Sequence, residues 1–308
     1  MSGGAFLGTS DFAATVLHRL AGAGVGPSLV VTLPDRRQGR GRKLSPSPVA
    51  IAAGELGFEV LKSGDVNGDE DRSRIVEASG PGGWSGICAF GQLIREPLLS
   101  EAPMLNVHPS LLPRWRGAAP IERAIMAGDP QTGVCIMRLV AGLDSGPVAL
   151  SERVEIDPDE DFGSLSDRLA RIGGDLLASA LSAAASDSLE WTEQDDGLAT
   201  YAEKIESDER RIDLSRTARE CHDRVRALTP HIGAFLALEG DERLGVVKTM
   251  PAPGEVLRRG EFRSSDGRLF LGCADHGLEL LEVRPPGKAT MDARSFLSGY
   301  GTPAPVAD

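Results

Sequence analysis

The stretch Met104-Leu105-Asn106-Val107-His108-Pro109-Ser110-Leu111-Leu112-Pro113 restricts this chain more than any other. Its apolar start fits a buried strand. Strand side chains alternate faces, so Asn106 and His108 share one face if the segment is extended. Pro109 and Pro113 disfavour continuation as a helix, because proline lacks an N–H and restricts the residue before it. A polar pair ending a buried strand, then a proline-bounded loop, suits a reaction site in an open α/β sheet. The plain alternative is a strand terminus with a polar cap. These residues alone do not separate the two.

The surrounding pattern supplies such a sheet. Ala5 to Leu7 reads as a short strand, weakened by Gly3 and Gly4, with Thr9 or Ser10 capping the helix that follows. The Gly22 to Gly26 run follows a helix, so it is a helix stop rather than a dinucleotide loop. Ser28–Thr32, Phe58–Leu61, Trp84–Phe90, Gly133–Val140 and Val148–Val154 are strand-like, and Phe162–Ala185 is a long amphipathic helix. Strands alternating with helices predict an α/β, Rossmann-like domain with a mostly parallel sheet. With 308 residues and 41% hydrophobic content, the length favours two domains. The expected boundaries are a catalytic domain over 1–189, a polar linker over 190–204 and a second domain over 205–308. In the second, a Thr217–Leu228 helix precedes five short strand-like runs: Gly233–Leu238, Gly245–Met250, Glu255–Leu257, Leu269–Leu271 and Leu278–Val283. That pattern predicts a small β-barrel, with the oligonucleotide-binding (OB) type a candidate.

Formal net charge is −12, which argues against nucleic-acid binding by the whole surface. Against it stands one concentrated basic loop, Arg36, Arg37, Arg40, Arg42 and Lys43 among glycines, with Asp35 the only acid nearby. Charge runs are ordinarily solvated surface. On an acidic body, this one suggests a polyanionic partner. Cys88, Cys135, Cys221 and Cys273 are far apart and fit a reducing compartment. No metal-ligand spacing and no membrane-length apolar run occurs, so the expectation is a cytoplasmic protein without metal.

Asn106 and His108 have a distant counterpart in the turn Gly142-Leu143-Asp144-Ser145-Gly146. An amide and an imidazole can stabilise an oxyanion, the imidazole can move a proton, and a carboxylate can orient it or accept the proton of an attacking amine. No G-x-S-x-G elbow is present. The chemistry suggested is direct acyl transfer to an amine. Turn-forming roles for Asn106 and Asp144, and a core role for His108, remain open on the residues alone.

Asn106-Val107-His108-Pro109-Ser110-Leu111-Leu112-Pro113 resembles the folate-dependent formyltransferase signature Asn-x-His-x-Ser-Leu-Leu-Pro. The Asp144 turn resembles its paired aspartate motif. Within that superfamily, Arg114 to Ile121, the basic Pro34–Leu44 loop, Phe6 to Ala14, Thr200 to Ile205 and Pro285 to Lys288 are similar to the methionyl-tRNA formyltransferase family. The resemblance implies Asn106, His108 and Asp144 as catalytic residues. It implies a folate site lined by Ser110, Leu111, Leu112 and Pro113, with 10-formyltetrahydrofolate as co-substrate. It further implies initiator methionyl-tRNA as acceptor, bound by Arg36, Arg37, Arg40, Arg42 and Lys43. Nothing demands more than a monomer. Ser10 stands where that family usually has proline, and the segment 228–233 lacks a tryptophan often found nearby.

Overall fold

The computed structural model describes residues 4–38, 43–238 and 242–306. Arg40 and Arg42 of the basic loop lie outside the described residues. Two compact units emerge. The first comprises Met1–Gly117, Thr132–Val154 and Ser166–Tyr201; the second comprises Ala118–Gln131, Glu155–Leu165 and Ala202–Asp308.

In the first unit, chain order runs β1 (Ala5–Gly8), α1 (Asp11–Gly22), β2 (Leu29–Thr32), β3 (Arg36–Gln38), β4 (Lys43–Ser45), α2 (Pro48–Leu56), β5 (Val60–Lys62) and α3 (Asp69–Ser79). It continues with β6 (Ser85–Cys88), α4 (Leu98–Glu101), β7 (Met104–His108) and β8 (Arg116–Gly117). After α5 (Pro120–Met126), which belongs to the second unit, come β9 (Gln131–Arg138), β10 (Val148–Glu155) and the long helix α6 (Phe162–Ala185). Seven strands form one sheet in the order β10-β9-β7-β6-β1-β2-β5. The pairs from β7 through β6, β1 and β2 to β5 are parallel, and β9 runs antiparallel to β7. The mostly parallel sheet predicted from the alternating pattern is therefore present. Gly4 does not weaken β1, which is fully buried and paired on both sides. At φ +52°, a Cβ on Gly4 would collide with the Trp84 carbonyl.

Alternation puts the two faces of the sheet to different uses. Ala5, Leu7, Ile87 and Met104 join a core with Ile75 of α3. Phe6 and Leu105 point the other way, with Val107, toward α6. Gly173 of α6 permits that approach: a Cβ there would stand 2.6 Å from Val107 Cγ1. Glycine inside a helix costs about 1 kcal/mol against alanine, so close packing on β7 is the physical reason for it here. Asn106, paired with Ile87, and His108 occupy the face opposite α6.

Helix starts follow the sequence. Ser10 Oγ accepts from Ala13 N, and Ser47 Oγ accepts from Ala50 N ahead of Pro48. The flanks of the basic loop are more ordered than the sequence suggests: β3 and β4 pair as an antiparallel hairpin, Gln38 opposite Lys43.

The second unit holds α7 (Ala218–Leu228), begun by a Thr217–Glu220 capping box, after a short strand β11 (Tyr201–Ala202). An antiparallel sheet follows, built from β12 (Ala234–Ala237), β13 (Arg243–Ala252), β14 (Phe262–Ser265), β15 (Arg268–Gly272), β16 (Gly277–Arg284) and β17 (Met291–Asp292). Its core gathers Val225, Leu236, Leu244, Leu269, Leu278 and Val283 around α7. Glu255–Leu257 is not a strand: β13 ends at Ala252 and the chain turns at Pro253 and Gly254. Phe262–Ser265 is one, although three of its four side chains are exposed and give no alternating signal. A final helix α8 (Ala293–Tyr300), capped by Asp292, was not evident in the sequence.

Gly173→Val tests the packing that seats β7. The added side chain is expected to cost about 1–3 kcal/mol, read as a lower urea midpoint. An unchanged midpoint would show that α6 does not press on β7.

Candidate active site

β7 delivers Asn106 and His108 to the carboxyl end of the parallel strands. This is where an open α/β sheet places ligands. Strand order reverses at β1, between β2 and β6, and there Thr9 Oγ1 donates to the Phe90 carbonyl at 2.7 Å. Asn106 is half-buried, and among the described residues its carboxamide makes no side-chain hydrogen bond. His108 is buried, 4% exposed.

The imidazole is fixed at Nε2, which lies 2.9 Å from the Trp115 carbonyl oxygen. A carbonyl only accepts, so Nε2 carries the proton in this contact. Nδ1 then faces Asp144 Oδ2, 3.6 Å away. That separation exceeds a hydrogen bond, so Trp115, not Asp144, orients the ring. Asp144 Oδ2 is itself held by the Gly117 N–H at 2.8 Å. Trp115 and Asp144 both adopt left-handed backbone, φ +63° and +44°. Aspartate adopts that region readily, but a bulky tryptophan is uncommon there and is held by its neighbours.

Ser110 is fully buried; its Oγ donates to the Arg114 carbonyl at 2.6 Å. Its N–H donates to the His108 carbonyl, so the Ser110–Pro113 loop turns back on the strand end. Leu111, Leu112 and Pro113 are half-buried. The loop Pro113–Gly117 is tied down by residues that sequence reading left in a linker. Thr200 Oγ1 accepts from Trp115 N, and the Thr200 carbonyl accepts from Arg116 N, each at 2.9 Å. Gln194 and Arg116 also enter the network. No local pattern reports these contacts, which span 50 to 85 positions, although Thr200 itself opens a stretch that carries the family resemblance.

Cys135 lies opposite His108 across the β7–β9 pairing. A cysteine beside a histidine invites a nucleophilic reading. Burial instead pushes its thiol up to about 11, offset in part by a hydrogen bond from the Leu112 N–H. Thiol, not thiolate, therefore predominates at neutral pH. His222, in the second unit, is buried between Thr249 Oγ1 and the Pro158 carbonyl; burial lowers its pKa. Both fit structural roles. Among the described residues, no group of three or more His, Cys, Asp or Glu could hold a metal ion. No described helix is long and apolar enough to cross a membrane. Arg36, Arg37 and Lys43 are exposed on the β3–β4 hairpin, away from Asn106, His108 and Asp144 in sequence. Asp35 at its base pairs with Lys62 at 2.6 Å.

Asn106 and His108 share one face at the end of β7, and the imidazole lies 3.6 Å from the Asp144 carboxylate. That set serves acyl transfer without an enzyme-bound intermediate. Residues 4–181 match the formyl transferase family and residues 204–301 match its C-terminal domain, so the chain belongs to the formyl transferase family. Relatives named methionyl-tRNA formyltransferase include that of Parvibaculum lavamentivorans, 42% identical over 96% of both chains, and that of Rubrobacter xylanophilus, 43% identical over 96% of each. Among solved structures, the chain is similar to an N-formyltransferase from Helicobacter canadensis in complex with folinic acid and dTDP-3-aminofucose. The TM-score is 0.67 at 15% identity, over 91% of this chain and 99% of that one. HypX from Aquifex aeolicus, in complex with tetrahydrofolic acid, gives 0.65 at 15% identity, over 95% of this chain and 46% of that one. At these identities the two structures show the fold alone.

The thiol assignment has a direct check. Iodoacetamide at pH 8 should leave Cys135 unlabelled in the folded protein and label it in urea. Labelling of the folded protein at the unfolded rate would contradict it.

Proposed function

We propose that this chain transfers the formyl group of 10-formyltetrahydrofolate to the α-amine of methionine esterified to initiator tRNA, in the cytoplasm. Likeness at 42% identity over 96% of both chains to an enzyme named for that reaction carries the reading. The strand-end chemistry supports it. The Asn106 carboxamide supplies an N–H to the oxyanion that forms when the amine attacks the formyl carbon. His108, protonated on both nitrogens, keeps one N–H on the Trp115 carbonyl and adds positive charge beside that oxyanion. Asp144 takes up the proton shed by the amine, directly or through water, and steadies the charged imidazole. Collapse of the oxyanion then breaks the bond from the formyl carbon to N10, and that nitrogen leaves with the proton returned from Asp144, giving tetrahydrofolate and N-formylmethionyl-tRNA. Ser110, Leu111, Leu112 and Pro113 line the folate side. Arg36, Arg37, Arg40, Arg42 and Lys43 contact the RNA backbone. The pairing of Asp35 with Lys62 takes the one nearby acid out of competition with that contact.

The second reading is a formyl transfer to a nucleotide or sugar amine, the chemistry suggested by the sugar-nucleotide complex of the Helicobacter neighbour. A basic hairpin on an acidic body favours a long polyanion over a small nucleotide. An acceptor competition decides between them. With labelled 10-formyltetrahydrofolate, charged initiator tRNA and a dTDP-amino sugar together, label is expected on methionine. Label on the sugar, or only as free formate, would overturn the proposal.

The RNA contact has its own test. Neutralising Arg42 and Lys43 together is expected to weaken tRNA binding and to reduce the slope of log affinity against log salt by about 1–2. An unchanged affinity and slope would remove the hairpin from the RNA interface.

A further inference from the structure

Gln194 lies 50 residues beyond Asp144 and outside every motif that the sequence displays. Its Nε2 nevertheless donates to two carbonyls of the Asp144 turn, that of Asp144 at 2.8 Å and that of Gly146 at 2.7 Å. Its Oε1 accepts from Arg116 Nε at 3.0 Å. The amide orientation is fixed by this pattern: turned over, it would set an oxygen against two carbonyls and an NH₂ group against a guanidinium. Arg116 is 4% exposed and continues the chain of contacts through Nη2 to Asp196 Oδ1 at 2.7 Å.

The position of Arg116 gives the contact its meaning. Its neighbour on one side, Trp115, offers the carbonyl that holds His108. Its neighbour on the other side, Gly117, offers the N–H that holds the Asp144 carboxylate. Gln194 grips the backbone of Asp144 itself, in the left-handed turn that carries the carboxylate, φ +44°. The Gln194–Arg116 hydrogen bond therefore ties the loop that orients the imidazole to the turn that carries the carboxylate.

We infer that Gln194 is a positioning residue for formyl transfer: with Arg116 it sets the separation of His108 from Asp144. It acts through the turn and reaches no reacting atom. The inference rests on the reading of function only for its activity readout, so a second readout in the free protein is needed.

The test compares Gln194→Ala with the near-isosteric Gln194→Glu. The alanine removes both donors. The glutamate keeps the volume but sets carboxylate oxygens against the Asp144 and Gly146 carbonyls. In the free protein, side-chain ¹⁵N shifts of labelled histidine report the protonation and hydrogen bonding of His108, with His222 as internal control. In the assay with formyltetrahydrofolate and charged tRNA, kcat and KM are read separately. Displacing a catalytic group by about 1 Å costs on the order of 10²-fold. Both variants are expected to move the His108 signals and leave those of His222 in place. Turnover should fall about 10- to 100-fold with both KM values nearly unchanged, the glutamate variant at least as impaired as the alanine one. Unmoved His108 signals, or a glutamate variant that works like wild type, would overturn the inference. So would a loss confined to KM. If only one variant folds, its His108 signals decide. If wild type forms no formylmethionine, the proposed function fails, while the His108 signals still decide the role of Gln194.

Discussion

The contact of His108 Nε2 with the Trp115 carbonyl, 2.9 Å, is the interaction on which the rest of the site depends. It fixes which nitrogen carries a proton and leaves Nδ1 facing a carboxylate. The contact requires a buried imidazole, a left-handed Trp115 and a loop that returns to the end of the strand bearing His108. Each requirement is met by a separate part of the first unit. The sheet buries the strand, Gly173 lets α6 cover its other face, and Thr200 receives the N–H groups of Trp115 and Arg116.

Electrostatics follow from that scaffold. Asp144 is held by a backbone N–H and stays partly solvated, with its side chain 14% exposed. The nearby thiol is silenced by burial. On the outside, the charge balance reverses: a body of net charge −12 carries one concentrated basic hairpin. A contrast of that kind is what electrostatic steering of a polyanion requires.

Much of this was legible in the sequence. Period-two alternation in Met104–His108 and the two prolines marked the strand and the loop that follows it. The helix caps at Ser10 and Ser47 were readable because capping is a local contact. What escaped was nonlocal or unpatterned. Trp115 acts through its carbonyl, which no side-chain motif reports. Gln194 and Thr200 looked like linker because their partners lie about 50–85 positions away. The Phe262–Ser265 edge strand has no buried alternation to reveal it, and the Glu255–Leu257 run has strand-like residues but follows the turn at Pro253 and Gly254. Left-handed φ at Asp144 was invisible in the same way, since aspartate tolerates many turn geometries.

The most direct measurement is the single-turnover rate of label transfer from 10-formyltetrahydrofolate to methionyl initiator tRNA, in wild type and in Asn106→Ala. Loss of one oxyanion donor should slow transfer on the order of 10²-fold or more while folate affinity stays nearly constant. Transfer at the wild-type rate by Asn106→Ala would contradict the assignment of the β7 strand end as the site of formyl transfer.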